Sequence, residues 1–519
     1  MKRIFLSLYV LTFLVACEDK LDITNPNEPT PASATTRRGI IALAQGAVYI
    51  NGFQESKFGG DYFSFVMGMH DRMGDIIGSD YNLHFLSCPD LITLDDGSVL
   101  ESINIDGQKG YLRKVNVPTS QANVLFYEWA LMYGMNGTLN QVLTIIDEVE
   151  MSDDQKNTIK AWAYFWKGFA YSRIGSLYYA GIINDASGTT NKRYFSKEDI
   201  LNEAGENFQK AEDLLLSISN IDDYDDIINA LIPSICKRGR GYAVGIAEWQ
   251  RNINTLRARN LLVNTPTSSA NAEFWQSILA LTSSGIGSND NTFTIRTDEL
   301  GNLLGSFLAA ETIDISNYKV SERLIQDFDP LDRRLLNNFD SAEMWAPTQG
   351  RGTALNTRYF LVDQGKGMTD VMTYCDRTIG EQELYIAGSY EENLLMNAEA
   401  LIHLGQPDAA FALIDELREF QGAGLAPLNG AGITNEEAMS ILRRERRIAL
   451  AFRGLSFYDA RRWGILENGR SGAVVIDFSG NVSTNAHVDY GYMDYWDVPV
   501  AESFFNPASL DSAPITNPN

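Results

Sequence analysis

The chain has 519 residues, 45% of them hydrophobic, with 42 Lys and Arg against 67 Asp and Glu and a formal net charge of -25. A field of that sign repels nucleic acid and anionic lipid surfaces, so both are excluded as electrostatic partners. The four cysteines, Cys17, Cys88, Cys236 and Cys375, are too irregularly spaced for a disulfide framework or a cysteine-based zinc site.

In chain order, Lys2 and Arg3 precede an apolar run from Ile4 to Val15 that is too short to span a bilayer. Leu14-Val15-Ala16-Cys17 then turns sharply to Glu18-Asp19-Lys20. This pattern predicts a lipoprotein signal peptide over residues 1–16, cleaved before Cys17, which becomes the lipidated residue. The alternative is an ordinary signal peptide with an incidental cysteine. No later segment reaches the roughly 20 apolar residues of a spanning helix, so membrane attachment falls to acyl chains. Residues 17–36, with Pro26, Pro29 and Pro31, predict a flexible tether. Residues 37–519 are expected to form one domain.

Helical periodicity starts near Arg37 and runs towards Tyr49. It returns over residues 122–150, 152–176, 197–217, 391–406, 407–420 and 435–463. Ser152 and Asp153 are N-cap types, and Ser196 with Asp199 resembles a capping box. Gly168, Tyr171 and Gly175 share a spacing with Ala398, Leu401 and Gly405, and Ala410, Ile414 and Leu417 continue the second set. Small residues at such positions let antiparallel helices approach closely, a pattern similar to the tetratricopeptide repeat. Repeats are expected near 122–260 and 391–463, with residues 177–195 an insertion between paired helices. Segments near 52–110 and 265–383 lack a sustained period and are expected to be loop-rich and to face the ligand.

The histidines are His70, His84, His403 and His487, and none sits in a metalloprotease helix. No nucleophile elbow, phosphate loop or dinucleotide fingerprint occurs, so no catalytic residue, metal or cofactor is called for. His70-Asp71 reads as a structural pair before it reads as an oriented imidazole. Asp95-Asp96 and Asp222-Asp223-Tyr224-Asp225-Asp226 lack the alternating oxygen pattern of a calcium loop, so they read as solvated acidic loops. Carboxylate pairs for glycoside hydrolysis need only proximity in space, and nothing in the sequence picks one out. Tyr81, Phe85, Trp345 and Tyr359 lie among Asp80, Asn82, Gln349, Arg351, Asn356 and Arg358. Aromatic faces stack on the C–H faces of a sugar, and such polar neighbours bond its hydroxyl rim. Trp345, Tyr81, Asp80, Asn82 and Arg358 are the candidate ligand-binding residues. Pro347 restricts Ala346 and argues against helix there, which suggests an exposed loop. The alternative is that these aromatics pin long loops to the scaffold.

The segment Glu445-Arg446-Arg447-Ile448-Ala449-Leu450-Ala451-Phe452-Arg453-Gly454, running into Phe457-Tyr458-Asp459-Ala460-Arg461-Arg462-Trp463-Gly464, resembles the signature helix of the SusD/RagB family. Leu394-Leu395-Met396-Asn397-Ala398-Glu399-Ala400 is similar to the preceding repeat helix of that family. Val498-Pro499 with Glu502, Asn506 and Pro507 is similar to its closing segment. Ala449 and Arg453 stand where the family usually has acids, and Ser389 and Ser456 where it usually has arginines. The arginines of the signature helix are expected to pair with the surplus acids of the chain. The resemblance implies a mainly α fold, with tetratricopeptide-like repeats scaffolding an irregular half. It also implies a non-enzymatic surface lipoprotein of the outer membrane. Such a protein captures glycans, or in some members peptides, for a SusC-like TonB-dependent transporter. A tetratricopeptide scaffold for envelope proteins is the reading from another class.

Overall fold

The computed structural model describes residues 34–53, 62–80, 84–102, 106–118, 123–237, 243–296, 318–345, 357–428, 430, 432–477 and 479–519. Cys17, the signal peptide, and Tyr81 and Asn82 lie outside the described residues.

The fold is mainly α-helical. Its first part holds α1 (Arg37–Gly46), α2 (Gly68–Met73), β1 (Ile77–Asp80), β2 (Leu91–Thr93), β3 (Val99–Glu101), α3 (Gly107–Val115), α4 (Leu125–Ile145) and α5 (Asp153–Leu177). After the short strands β4 (Ala180–Gly181) and β5 (Phe195–Ser196) come α6 (Lys197–Ser217), α7 (Ile221–Leu231), α8 (Ile246–Val263) and α9 (Ala272–Ser283). The middle contains β6 (Thr294–Arg296), β7 (Tyr318–Val320), α10 (Glu322–Ile325), α11 (Arg333–Asn338), β8 (Phe339–Trp345), β9 (Thr357–Leu361) and β10 (Glu383–Tyr385). The last part holds α12 (Tyr390–His403), α13 (Pro407–Phe420), α14 (Asn435–Ala449), α15 (Ser456–Arg462), α16 (Ile465–Asn468), β11 (Arg470–Ile476), β12 (Val482–Asp489) and α17 (Val500–Phe505).

Helix starts follow side-chain chemistry. Ser152 and Gln155 form a reciprocal capping box on α5. Ser196 Oγ accepts the Asp199 N–H on α6, and Pro407 opens α13, where its missing N–H costs nothing. The expected helix pairs form. α5 packs along α6, and α12 along α13. A Cβ on Gly168 would come within 2.8 Å of Phe208 and 3.1 Å of the Ala204 carbonyl oxygen. One on Gly175 would meet Leu201 at 2.8 Å, so both glycines set how closely α5 and α6 approach. Residues 177–195 are an insertion between these helices, closed by the β4–β5 ladder.

Gly405 behaves differently from its expected counterpart. A Cβ there would meet nothing within 4 Å, and its φ of +76° places it in the left-handed turn that ends α12. It terminates a helix rather than packing against one. The single helix expected over 435–463 is also corrected, since α14 ends at Ala449 and α15 begins at Ser456. Phe452 and Gly454 both have positive φ in the intervening turn, and Gly454 passes so close to Met67 that a Cβ would lie 2.9 Å from its Cα. The loop-rich segment expected from 265 onward contains the regular helix α9. A four-stranded antiparallel sheet, ordered β11-β12-β2-β3, was not foreseen.

One hydrophobic core runs from Ile40 to Val498. At its centre Trp162, Phe165, Trp166, Trp249 and Phe293 meet largely edge to face, as with Trp249 and Phe293 at 5.3 Å. Such aromatic pairs add to the gain from area burial. A second cluster joins α12, α13 and α14 through Leu395, Ala398, Phe411, Ile414 and Leu442.

Candidate ligand-binding site

Three of the five sequence-predicted ligand positions fall on two neighbouring ladders. Asp80 ends β1 and pairs with Tyr318 of β7. Trp345 ends β8 and pairs with Thr357 of β9, the residue before Arg358. β7 in turn lies against β9. The loop position expected for Trp345 is therefore corrected to a strand end. Pairing with Thr357 of β9 is what holds Trp345 extended.

Arg358 also belongs to a strand, and it is committed to a partner. Its Nε and Nη2 donate to the two carboxylate oxygens of Glu322, at 3.2 and 2.9 Å, and its backbone N–H donates to the same group at 2.7 Å. The side chain stays 41% exposed, so the guanidinium is held in one orientation at the surface. Among the loop aromatics, Phe85 stacks on Tyr111 at 3.8 Å, which is the pinning role.

The floor beneath these ladders is built from buried ion pairs. Arg323, next to Glu322, grips Asp75 through Nε at 2.9 Å and Nη2 at 2.8 Å. Ser321 Oγ and the Tyr490 hydroxyl also donate to Asp75. Burial alone would raise the Asp75 carboxyl, but the Arg323 guanidinium outweighs it and holds the group well below the usual range. Glu322 thus fixes β9 while Arg323 fixes the turn into β1. From the other side, Arg447 of α14 donates to the carbonyls of Gly74 and Asp75 and pairs with Asp327 at 2.6 Å. Gly74 admits no side chain, since a Cβ would lie 2.1 Å from Ser456 Oγ.

Elsewhere on the Arg-rich helix the expected pairing with acids holds for Arg446 as for Arg447, whereas Arg443 and Arg444 make no ion pair among the described residues. Glu445 receives Arg334 at 2.6 Å and Arg418 at 2.8 Å, and Arg446 pairs with Asp459 at 2.7 Å. Arg462 closes a two-point bridge on Glu399, at 2.6 and 2.7 Å. The departures at 389 and 453 meet in space. Arg453 bonds Ser389 Oγ at 3.3 Å and pairs with Glu391 at 2.9 Å, beside a cavity of about 320 Å³ that Tyr385 and Phe420 also line. Ser456 bonds Asp71 at 2.8 Å, which also accepts the Gly454 N–H.

Other candidates resolve into structural roles. His70 and Asp71 are buried, and His70 Nε2 lies 2.8 Å from Glu128. Burial lowers the His70 pKa, with Glu128 opposing the shift. Asp222 to Asp226 form part of α7 rather than a loop, and Asp95 accepts the Thr484 and Asn485 N–H groups. Cys88, Cys236 and Cys375 are buried. Among the described residues no group of three His, Cys, Asp or Glu is arranged to hold a metal ion, and no helix is long and apolar enough to cross a membrane. Glu322, Asp75 and Asp327 were missed because single acids scattered along a chain carry no motif.

Residues 389–507 match the family model described as the SusD family. No curated protein is a significant match to the chain. The fold is shared with surface glycan-binding protein A from Bacteroides fluxus, at TM-score 0.55 and 16% identity over 93% of this chain and 99% of that one. It is shared with a SusD superfamily protein from Parabacteroides distasonis, at TM-score 0.56 and 13% identity over 92% and 98%. A structure described as containing xylogluco-oligosaccharide aligns at TM-score 0.55 and 14% identity over 92% and 99%. The segment that carries the signature helix thus matches the SusD family model, and the fold from α1 to the closing strands is the one found in these SusD-superfamily structures.

Proposed function

We propose that this protein captures glycans at the cell surface and passes them to a SusC-like TonB-dependent transporter in the outer membrane. The observation that carries the reading is the shared fold across nine-tenths of the chain with a protein described as glycan-binding. A second line of support is the convergence of positions 80, 345 and 358 on neighbouring ladders over a rigid, ion-paired floor. Sites on such supports hold ligand groups better than sites on free loops. A glycan would lie along these strand ends, with Trp345 and Tyr81 stacking on ring faces and Asp80, Asn82 and Arg358 bonding hydroxyls. The activity is binding without turnover, and the anchor is the lipid on Cys17.

Glycan arrays run beside peptide libraries test this reading. Selective retention of an oligosaccharide supports it. Selective retention of peptides would replace it with a peptide-capturing lid, and hydrolysis of the bound glycan would replace it with an enzyme.

A further inference from the structure

A cleft of about 680 Å³ lies between α14 and the α15–α16 corner, with Gly74 and Asp75 of the ion-paired floor in its lining. Its volume is within the span of small-ligand sites, roughly 300–1,000 Å³. One face of α14 forms the first wall with Glu436, Met439, Ser440, Arg443, Arg444 and Arg447, recurring every three or four residues. Ala460, Trp463, Ile465 and Leu466 form the apolar wall opposite.

The charge of this cleft is opposite to that of the chain. Arg443, Arg444, Arg447 and Arg470 line it against Asp75, Asp327 and Glu436. Two of those carboxylates are already committed. Asp75 is taken by Arg323 beneath the floor, and Asp327 is shared by Arg447 at 2.6 Å and Arg470 at 2.8 Å. The neighbouring ion pairs belong to Arg418, Arg446 and Arg447, whereas Arg443 and Arg444 have none among the described residues. Arg443 lies with Cζ 5.3 Å from the Trp463 ring centroid, and its Nε is buried without a hydrogen-bond partner among the described residues. Burial pulls its guanidinium below the ordinary value, against the attraction of Glu399. A desolvated cation with no bonded counter-charge is costly to keep. An incoming anion would relieve that cost, and a guanidinium matches carboxylate or sulfate oxygens two at a time.

We propose that this cleft binds an acidic sugar residue, whose carboxylate or sulfate ester is received by Arg443 and Arg444 while Met439, Ala460 and Ile465 meet its C–H face. The proposal rests on the glycan-capture reading and narrows it to acidic glycans. The test is titration calorimetry on the mature chain, with trigalacturonate and its methyl ester in one arm and a chondroitin sulfate disaccharide and its desulfated form in the other. We expect at least one charged sugar to bind and its neutral form to bind at least tenfold more weakly. The arm that responds identifies the anion. Affinity should fall as salt rises. Arg443→Gln/Arg444→Gln should lower charged-sugar affinity at least tenfold, without lowering the melting midpoint, and leave neutral-glycan affinity at the strand ends unchanged. If that variant fails to fold, Arg444→Glu at its exposed position should give the same loss. Equal binding of charged and neutral forms, an unaffected variant, or capture of acidic peptides alone overturns the proposal. Binding of neutral glycans without charged ones overturns it and spares the broader reading, whereas binding of no sugar at all removes both.

Discussion

Trp345 is the residue whose substitution best separates binding from stability. It ends β8 at the ladder with Thr357, directly before Ala346-Pro347 in the sequence. Trp345→Ala should weaken glycan binding by about 1–3 kcal/mol, the loss of one stacked and desolvated aromatic contact. The melting midpoint should barely move. Titration with the best array ligand and a melting curve check both, and intact binding with a large drop in stability would make the indole an anchor instead. Glu399 behaves in the opposite way. Burial tends to raise its carboxyl, but Arg462 outweighs burial and holds the pKa down at about 2. Glu399→Gln leaves the buried Arg462 guanidinium with Asp459 alone, a carboxylate it shares with Arg446, and should cost up to about 3–5 kcal/mol at neutral pH. The sign of the pH effect follows from the depressed value. The unfolded chain takes up the proton near the ordinary glutamate pKa and the folded one near 2, so the contribution of Glu399 is full above that window and disappears as pH falls through it. Denaturant melts of wild type and variant should therefore draw together below the ordinary glutamate pKa and meet only as pH approaches about 2. Asp71 titrates with the reverse sign, because burial pushes it up to about 7. Its proton is retained in the fold while the unfolded chain loses it, so its effect on stability worsens as pH rises towards 7.

At the scale of elements, the α5–α6 contact makes the sharpest claim. Gly168→Val would drive a branched side chain into Phe208 and the Ala204 carbonyl, and overpacking of this kind costs about 1–3 kcal/mol. Gly405→Ala should also destabilise, through backbone strain at positive φ rather than through contact. Thermal melts will place both, and a Gly168 variant as stable as wild type would mean that α5 and α6 can move apart without penalty. These two glycines show what the sequence made legible. Local signals worked where the cause is local: the Ser152 cap, Pro407 at the start of α13, and the small-residue register of α5. They failed where the cause lies elsewhere in the chain. The break between α14 and α15 is imposed by the approach of Gly454 to Met67, almost four hundred positions earlier, and no helical period records that. β12 pairs with β2 from the opposite end of the chain, so each strand alone looks like loop. The candidate site divides in the same way. Its aromatic and polar positions were readable as sugar-binding types, whereas the acids that hold Arg358, Arg323 and Arg447 were not.

For the whole molecule, attachment and partnership are the open proposals. Cys17→Ala should abolish incorporation of labelled lipid, because the proposal makes that thiol the acceptor. Unchanged labelling would remove the anchor. Gentle detergent extraction should recover a β-barrel much larger than this chain, since a lid needs an interface of roughly 2,000 Å² or more. Recovery of the protein alone, with the transporter present, would count against hand-off. The ion-paired floor has a further consequence, for the order in which the chain acquires structure. Asp75 takes its side-chain partners 248 and 415 residues downstream, from Arg323 and Tyr490, and Arg447 reaches its carbonyl across 372 residues. Contacts of such separation form late and slow the search for the native state. The turn into β1 therefore has no stable form until nearly all of the polypeptide is available, and the strands it supports are completed only after the chain has been made almost to its end.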